Sequence, residues 1–254
     1  MRVTWYGTAS AAIEGAGGRL LVDPFLPMPG SATRVDPSAF GQCAGVLITH
    51  GHFDHILSLP ALARGRDFPL YCTGTPRRTL IRLGVDPGRI VPVAPGDRFR
   101  AAGMDIAVYQ GRHVRYDRAL VRRTLINRRM LRHARNLPRI LRGFAACPEK
   151  GETLGYLVEA DGRSAFVLGS LGLDPAERYP RRMDVLLLPY QGTSDLVTPA
   201  ADIVSRLSPK RVLLTHFDDT FPPISAAVDT ADIQAVLREV CPVIRPQPGD
   251  CLEI

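Results

Sequence analysis

Residues 46–59 read VLITHGHFDHILSL, an apolar, β-branched run that stops at three histidines and an aspartate. The chain has only six histidines, yet His50, His52 and His55 fall within six positions, together with Asp54. Side chains alternate along an extended chain, so His50 and His52 project to one side. A turn directly after them can bring Asp54 and His55 to a neighbouring point. Four ligand-type side chains then converge on one or two cations. Imidazole and carboxylate suit zinc, with iron or manganese as substitutes. The alternative is a set of hydrogen-bonded surface histidines. Against it stands the placement of two more histidines, His113 just after DIAVYQ (105–110) and His216 at the end of RVLLTH (211–216). His133 lies inside an arginine-rich segment and carries no such signal.

The rest of the chain alternates between short apolar runs and helical patterns. VTWY (3–6) and RLLVD (19–23) flank GAGG (15–18), which predicts a hairpin; a phosphate-cradling loop is disfavoured because no helix opens after these glycines. Further strands are expected at 44–50, 70–72, 105–110, 153–160, 164–169, 184–189 and 211–216. Helices are expected at 56–63, 75–83, 198–207 and 230–240, with Thr75 and Thr198 preceding proline as cap-like starts. Interleaving of this kind indicates an α/β layered architecture, and 254 residues fit one domain spanning 1–254.

No uninterrupted apolar run approaches the roughly 18–20 residues of a membrane-spanning helix. MRVTWYGTAS does not have the pattern of a secretory signal, so a cytoplasmic location is expected. Cys43, Cys72, Cys147, Cys241 and Cys251 are odd in number, scattered and free of CxxC pairs, which points to free thiols rather than a disulfide framework or thiolate zinc cage.

THGHFDH resembles the HxHxDH signature of the metallo-β-lactamase superfamily. WYGTASAAIE, GRLLVDP and DVLLLPYQGTSDLVTPAADIVSRLSPKRVLLTHFDDTF look like its ascorbate-6-phosphate lactonase-like branch. The resemblance implies a four-layered αβ/βα sandwich with a basic helical insert at about 114–150. It makes His50, His52 and His113 ligands of one metal, and Asp54, His55 and His216 ligands of a second. Asp23 then stands where a carboxylate could orient a ligand imidazole, although a plain turn-forming Asp before Pro24 reads equally well. Two positions depart from the family pattern. Ser170 replaces the Asp that normally bridges both metals, and Thr8 occupies a place where this branch often has His.

The reaction expected is hydrolysis of an ester, lactone or phosphodiester by metal-bound hydroxide, with Asp54 as the catalytic carboxylate. The rival reading is a non-catalytic or weakly catalytic metal-binding protein, because a serine hydroxyl is a poor bridge. A serine-hydrolase mechanism fits less well, since GSLG around Ser170 is not GxSxG.

Residues 112–142 hold eleven arginines and one acid, Asp117, a local +10 in a chain of net +7, so the remainder is −3. Leu120, Ile126, Met130, Leu131, Ala134, Leu137 and Leu141 fall on roughly one helical face, and Pro138 is expected to split the segment into a longer and a shorter helix. One reading packs that face on the sandwich and leaves the arginines solvated. The other uses Arg122, Arg123, Arg128 and Arg129 to grip an anionic or amphiphilic small molecule, or to rest on an anionic membrane surface. Nucleic acid is the least favoured partner, because no aromatic stacking series accompanies the charge.

Overall fold

The computed structural model describes residues 1–254. The first half builds one sheet: β1 (Arg2–Gly7), β2 (Ser10–Gly15), β3 (Gly18–Val22), β4 (Gly45–Leu47), β5 (Leu70–Cys72) and β6 (Ile90–Pro92). The second half builds another from β7 (Arg98–Ala101), β8 (Met104–Gln110), β9 (Leu154–Ala160), β10 (Arg163–Leu168), β11 (Val185–Pro189), β12 (Val212–Thr215) and β13 (Val243–Ile244). The last strand, β14 (Cys251–Glu253), returns to pair with β1. The strand orders are β14-β1-β2-β3-β4-β5-β6 and β13-β12-β11-β10-β9-β8-β7. In each sheet antiparallel strands give way to parallel ones, from β3 to β6 and from β10 to β13.

Eight helices fill the connections: α1 (Phe53–Ile56), α2 (Leu59–Leu62), α3 (Gly74–Arg82), α4 (Arg118–Leu125), α5 (Arg129–Arg132), α6 (Leu137–Ala146), α7 (Val197–Leu207) and α8 (Ala231–Leu237). The period-2 alternation of strands decides how they stack. On β11, Val185 and Leu187 point inward to meet Val22, Leu47 and Val158 between the two sheets. Leu186 and Leu188 point outward onto Ile203, Val204 and Ile233 of α7 and α8. On the other side Leu21, Val46 and Ile48 face Phe53, Leu59 and Leu80 of α1, α2 and α3. Three apolar interfaces between four layers result, the αβ/βα sandwich of the metallo-β-lactamase fold.

Several local expectations are corrected. The first hairpin contains β2, unforeseen because SAAIEG is rich in small residues with low strand preference. The apolar run at 56–63 forms two single turns rather than one helix, and α3 and α7 begin before Thr75 and Thr198. Pro138 does not break a helix; it lies in the first turn of α6, where its missing N–H costs nothing. The basic segment therefore folds as three short helices, and Ile126, Leu131 and Leu141 face solvent instead of packing on the sandwich. All five cysteines are free; Cys43 is partly covered and Cys251 exposed, while the other three are buried.

Candidate metal centre

Chain direction assembles the site. Asp23 follows β3, His50 and His52 follow β4, and His113 follows β8. Ser170 follows β10, Gln191 follows β11 and His216 follows β12. All of these side chains leave the carboxyl ends of strands at one edge of the sandwich, the usual place for sites in open α/β sheets. Close approach of the backbones there needs glycine. A Cβ on Gly51 would sit 2.6 Å from the Pro148 carbonyl, and one on Gly169 2.7 Å from Thr49 Cβ.

Ligand-type atoms gather in two groups, His50 with His52 and His113, and Asp54 with His55 and His216. Within each group the atoms lie no more than 4.8 Å apart. Zinc–nitrogen bonds of ~2.0–2.1 Å put neighbouring donors of a tetrahedron roughly 3.4 Å apart. His50 Nε2 and His52 Nδ1 are 3.1 Å apart, and Asp54 Oδ2 stands 3.0 Å from His216 Nε2 and 3.7 Å from His55 Nε2. These spacings fit the edges of such a polyhedron. The donor set of imidazoles and one carboxylate suits a borderline divalent cation.

The remaining ring nitrogens are occupied in a way that fixes which atom faces the centre. His55 Nδ1–H donates to Asp23 Oδ2 at 2.8 Å, His113 Nδ1–H to its neighbour's carbonyl, Val114 O, at 2.7 Å, and His216 Nδ1–H to Gln191 Oε1 at 3.0 Å. Thr49 joins the histidines into one unit. Its hydroxyl donates to Asp23 Oδ2 at 2.6 Å, leaving a lone pair for His50 Nδ1–H at 3.1 Å, while its N–H donates to Asp23 Oδ1 at 2.8 Å. Asp23, fully buried, is thus the orienting carboxylate rather than a plain turn former. Sequence reasoning passed over Thr49 and Gln191; Thr49 stood inside the motif, whereas nothing local distinguishes Gln191.

Burial keeps the imidazoles of His50 and His52 neutral, the form that binds metals. It drives His50 well below the usual histidine range, helped by repulsion from His55 and His52, and brings His52 down to about 4. Burial opposes ionisation of Asp54, but His55 charge and the His216 hydrogen bond outweigh it and hold the carboxyl below its ordinary value. The same competition at His55 ends upward, because Asp23 and Asp54 outweigh desolvation.

Ser170 lines the pocket, and its Oγ accepts a hydrogen bond from Val114 N–H at 3.1 Å, so the hydroxyl braces the loop carrying His113. Asp174, four residues beyond Ser170, accepts from Ala176 N–H and belongs to neither ligand group. Thr8 is buried outside the pocket, bonded to Asp218 and Thr220. Both triads form the floor of a pocket of about 680 Å³. Its walls include Leu120, Val121 and Leu125 from α4, Phe144 from α6, and Ile224 and Val228 from the loop before α8. Of the four arginines singled out, Arg123 and Arg129 line this pocket, and Arg122 and Arg128 lie outside it. Arg129 is committed to Asp219 and the Ser225 carbonyl, which ties α5 to the loop after β12.

Comparison with known proteins agrees with this architecture. The family described as Beta-lactamase superfamily domain matches residues 18–217. A UPF0173 metal-dependent hydrolase of Cupriavidus necator is 28% identical over 264 aligned positions, covering 98% of this chain and 84% of the relative. Among solved structures, Igni18, a metallo hydrolase from Ignicoccus hospitalis, superposes with a TM-score of 0.66 at 20% identity, over 100% of this chain and 98% of that one. Zn(2+)-bound PqqB from Methylobacterium extorquens does so with a TM-score of 0.62 at 15% identity, each chain covered completely.

Proposed function

The chain belongs to the β-lactamase superfamily, and on that premise we propose that it is a metal-dependent hydrolase of amphiphilic small molecules carrying an ester, lactone or phosphodiester bond. The observation that carries this reading is the pair of ligand triads at the floor of a pocket with apolar walls. His50, His52 and His113 would hold one cation and Asp54, His55 and His216 a second, with zinc the best match to the donors. Such a cation, when bound, supplies a Lewis acid and a water acidified to about pKa 7.

The chain's own groups provide the rest. Asp54, kept ionised by its surroundings, would hold the second cation through Oδ2 and orient the attacking water through its other oxygen. Asp23, Val114 O and Gln191 hold three imidazoles in fixed tautomers, which preserves the geometry through the reaction. Leu120, Val121 and Phe144 exclude water beside the scissile bond and favour an apolar moiety, while Arg123 offers its charge to an acidic one.

The test is zinc content and turnover of an ester, a lactone and a phosphodiester panel, for the parent and His52→Ala. The expected outcome is one to two ions per parent chain, hydrolysis within the panel, and loss of both in the variant. A variant with full zinc and full activity would overturn the ligand assignment. Zinc binding without turnover of any panel member would instead favour a metal-binding role, as the serine at position 170 suggests.

A further inference from the structure

Seven of the ten exposed large hydrophobic side chains lie between Tyr116 and Phe144, in the same stretch that carries the arginines. Leu125, Ile126, Leu131 and Leu141 are 58, 75, 85 and 65% exposed, far more than scattered surface residues on a chain whose other apolar side chains are so thoroughly buried. Their position relative to the pocket is specific. Leu125 ends α4 and Phe144 lies on α6, and both line the pocket, so the exposed Ile126 and Leu141 stand next to residues of its wall. Leu141 stands one turn before Phe144 on the same helical face. Arg122, Arg128, Arg132 and Arg142 are interleaved with these apolar side chains and all face solvent.

We propose that this surface, formed by α4, α5 and α6, docks on an anionic lipid bilayer with the pocket mouth against the membrane. Two chemistries exposed together in one segment select that partner. Exposed leucine and isoleucine gain by entering the acyl boundary, and arginine gains at the anionic headgroups; a soluble polyanion would use only the second. The segment is also anchored well enough to bear on a surface. Ile140 and Gly143 of α6 pack on Phe53, Asn136 donates to the carbonyls of Pro29 and Pro222, and Arg129 pairs with Asp219. An amphiphile could pass from the bilayer into the pocket without crossing water; this last step rests on the hydrolase reading, whereas the docking itself does not.

Flotation of the zinc-loaded full-length protein with two kinds of vesicle tests the inference. One is phosphatidylcholine alone and the other an equal mixture with phosphatidylglycerol. The protein is expected on the mixed vesicles, with binding weakened by added salt, and not on the neutral ones. Ile126→Ser/Leu131→Ser/Leu141→Ser should lower the partition coefficient by tenfold or more, given the apolar area withdrawn. Arg122→Gln/Arg128→Gln/Arg132→Gln should lower it by about fivefold per arginine. Every substituted side chain is exposed, so melting temperatures should match the parent; Leu131→Ser alone serves if the triple variant fails to fold. The proposal is overturned if the parent floats with neither vesicle or equally with both, or if the serine variant binds as the parent does. It is also overturned if the parent is a dimer that the serine variant converts to monomer, which would assign the surface to a second copy. His52→Ala should float like the parent, so a failure of the hydrolase reading leaves this result separate.

Discussion

Thr49 illustrates how single residues hold the centre. One side chain and its own N–H satisfy both oxygens of Asp23, and the same hydroxyl reaches His50, so three groups share one fully buried network. Replacing Asp23 by Asn sets an amide NH₂ where an acceptor is needed, facing donors from Thr49 and His55. Asp23→Asn is expected to weaken zinc binding by about 10–100-fold, read by titration against a chelator, and to lower stability by roughly 1–3 kcal/mol. Unchanged zinc affinity would show that His55 needs no orienting partner. The first ring of this site was legible because its residues are types with restricted chemistry: His50, His52, Asp54 and His55 are adjacent in sequence, and His113 and His216 follow strand-like runs. The supporting ring was only half legible. Asp23 could be placed by resemblance, but a threonine and a glutamine acquire their roles only through tertiary contacts, Thr49 with Asp23 at 2.6 Å and Gln191 with His216 at 3.0 Å.

Among the elements, α6 couples the basic insert to the metal centre. Ile140 is buried in the outer apolar layer, and a Cβ on Gly143 would approach Phe53 to 2.9 Å. Phe53 stands between His52 and Asp54, so the seat of α6 is also the back of the ligand loop. Ile140→Ala removes buried methyl groups at a cost of about 2–5 kcal/mol. Of the two buried residues that seat α6, Ile140 and Gly143, only Ile140 brings a side chain, so without it the helix should release locally before the sandwich unfolds. Trypsin is therefore expected to cut the variant between residues 118 and 142 several-fold faster than the parent, with the rest of the chain intact longer. Equal cleavage rates, followed by mass spectrometry, would mean that α6 is held elsewhere. The strands of the sandwich were readable because apolar alternation and β-branching act locally. For the insert two readings stayed open for a physical reason: its apolar residues satisfy a helical period, and periodicity alone cannot distinguish a face that packs on protein from one that does not. β6, β7, β13 and β14 are short, at most four residues each, and carry too little pattern to be seen.

At the scale of the whole molecule, the two ends of the parallel strands do different work. The carboxyl ends of β10, β11 and β12 open toward the pocket, and their amino ends are closed by Asp184. One carboxylate accepts from Ser164 N–H at 2.9 Å, from the Ser164 hydroxyl at 3.2 Å and from Lys210 at 2.8 Å, with Arg163 at 3.4 Å. It thereby ties the start of β10 to the start of β11 and to the turn that leads into β12. Burial alone would raise its pKa, but the Lys210 and Ser164 hydrogen bonds win and hold it at about 2, against an ordinary 3.8. A depressed carboxylate contributes stability that is fully present above its unfolded pKa and is lost as pH falls through its folded one. The contribution of Asp184 should therefore be intact at neutral pH, begin to fade just below pH 4 and be nearly gone near pH 2. Asp184→Asn is expected to lower stability at pH 7 by about 1–3 kcal/mol, and the gap to the parent should narrow steadily across that acid window in denaturant titrations. Zinc affinity should remain as in the parent, because the substitution lies at the opposite end of the strands from the ligands. A stability gap independent of pH would show that the side chain acts by packing rather than charge, and a change in zinc affinity would show that the two ends of the sheet are not independent.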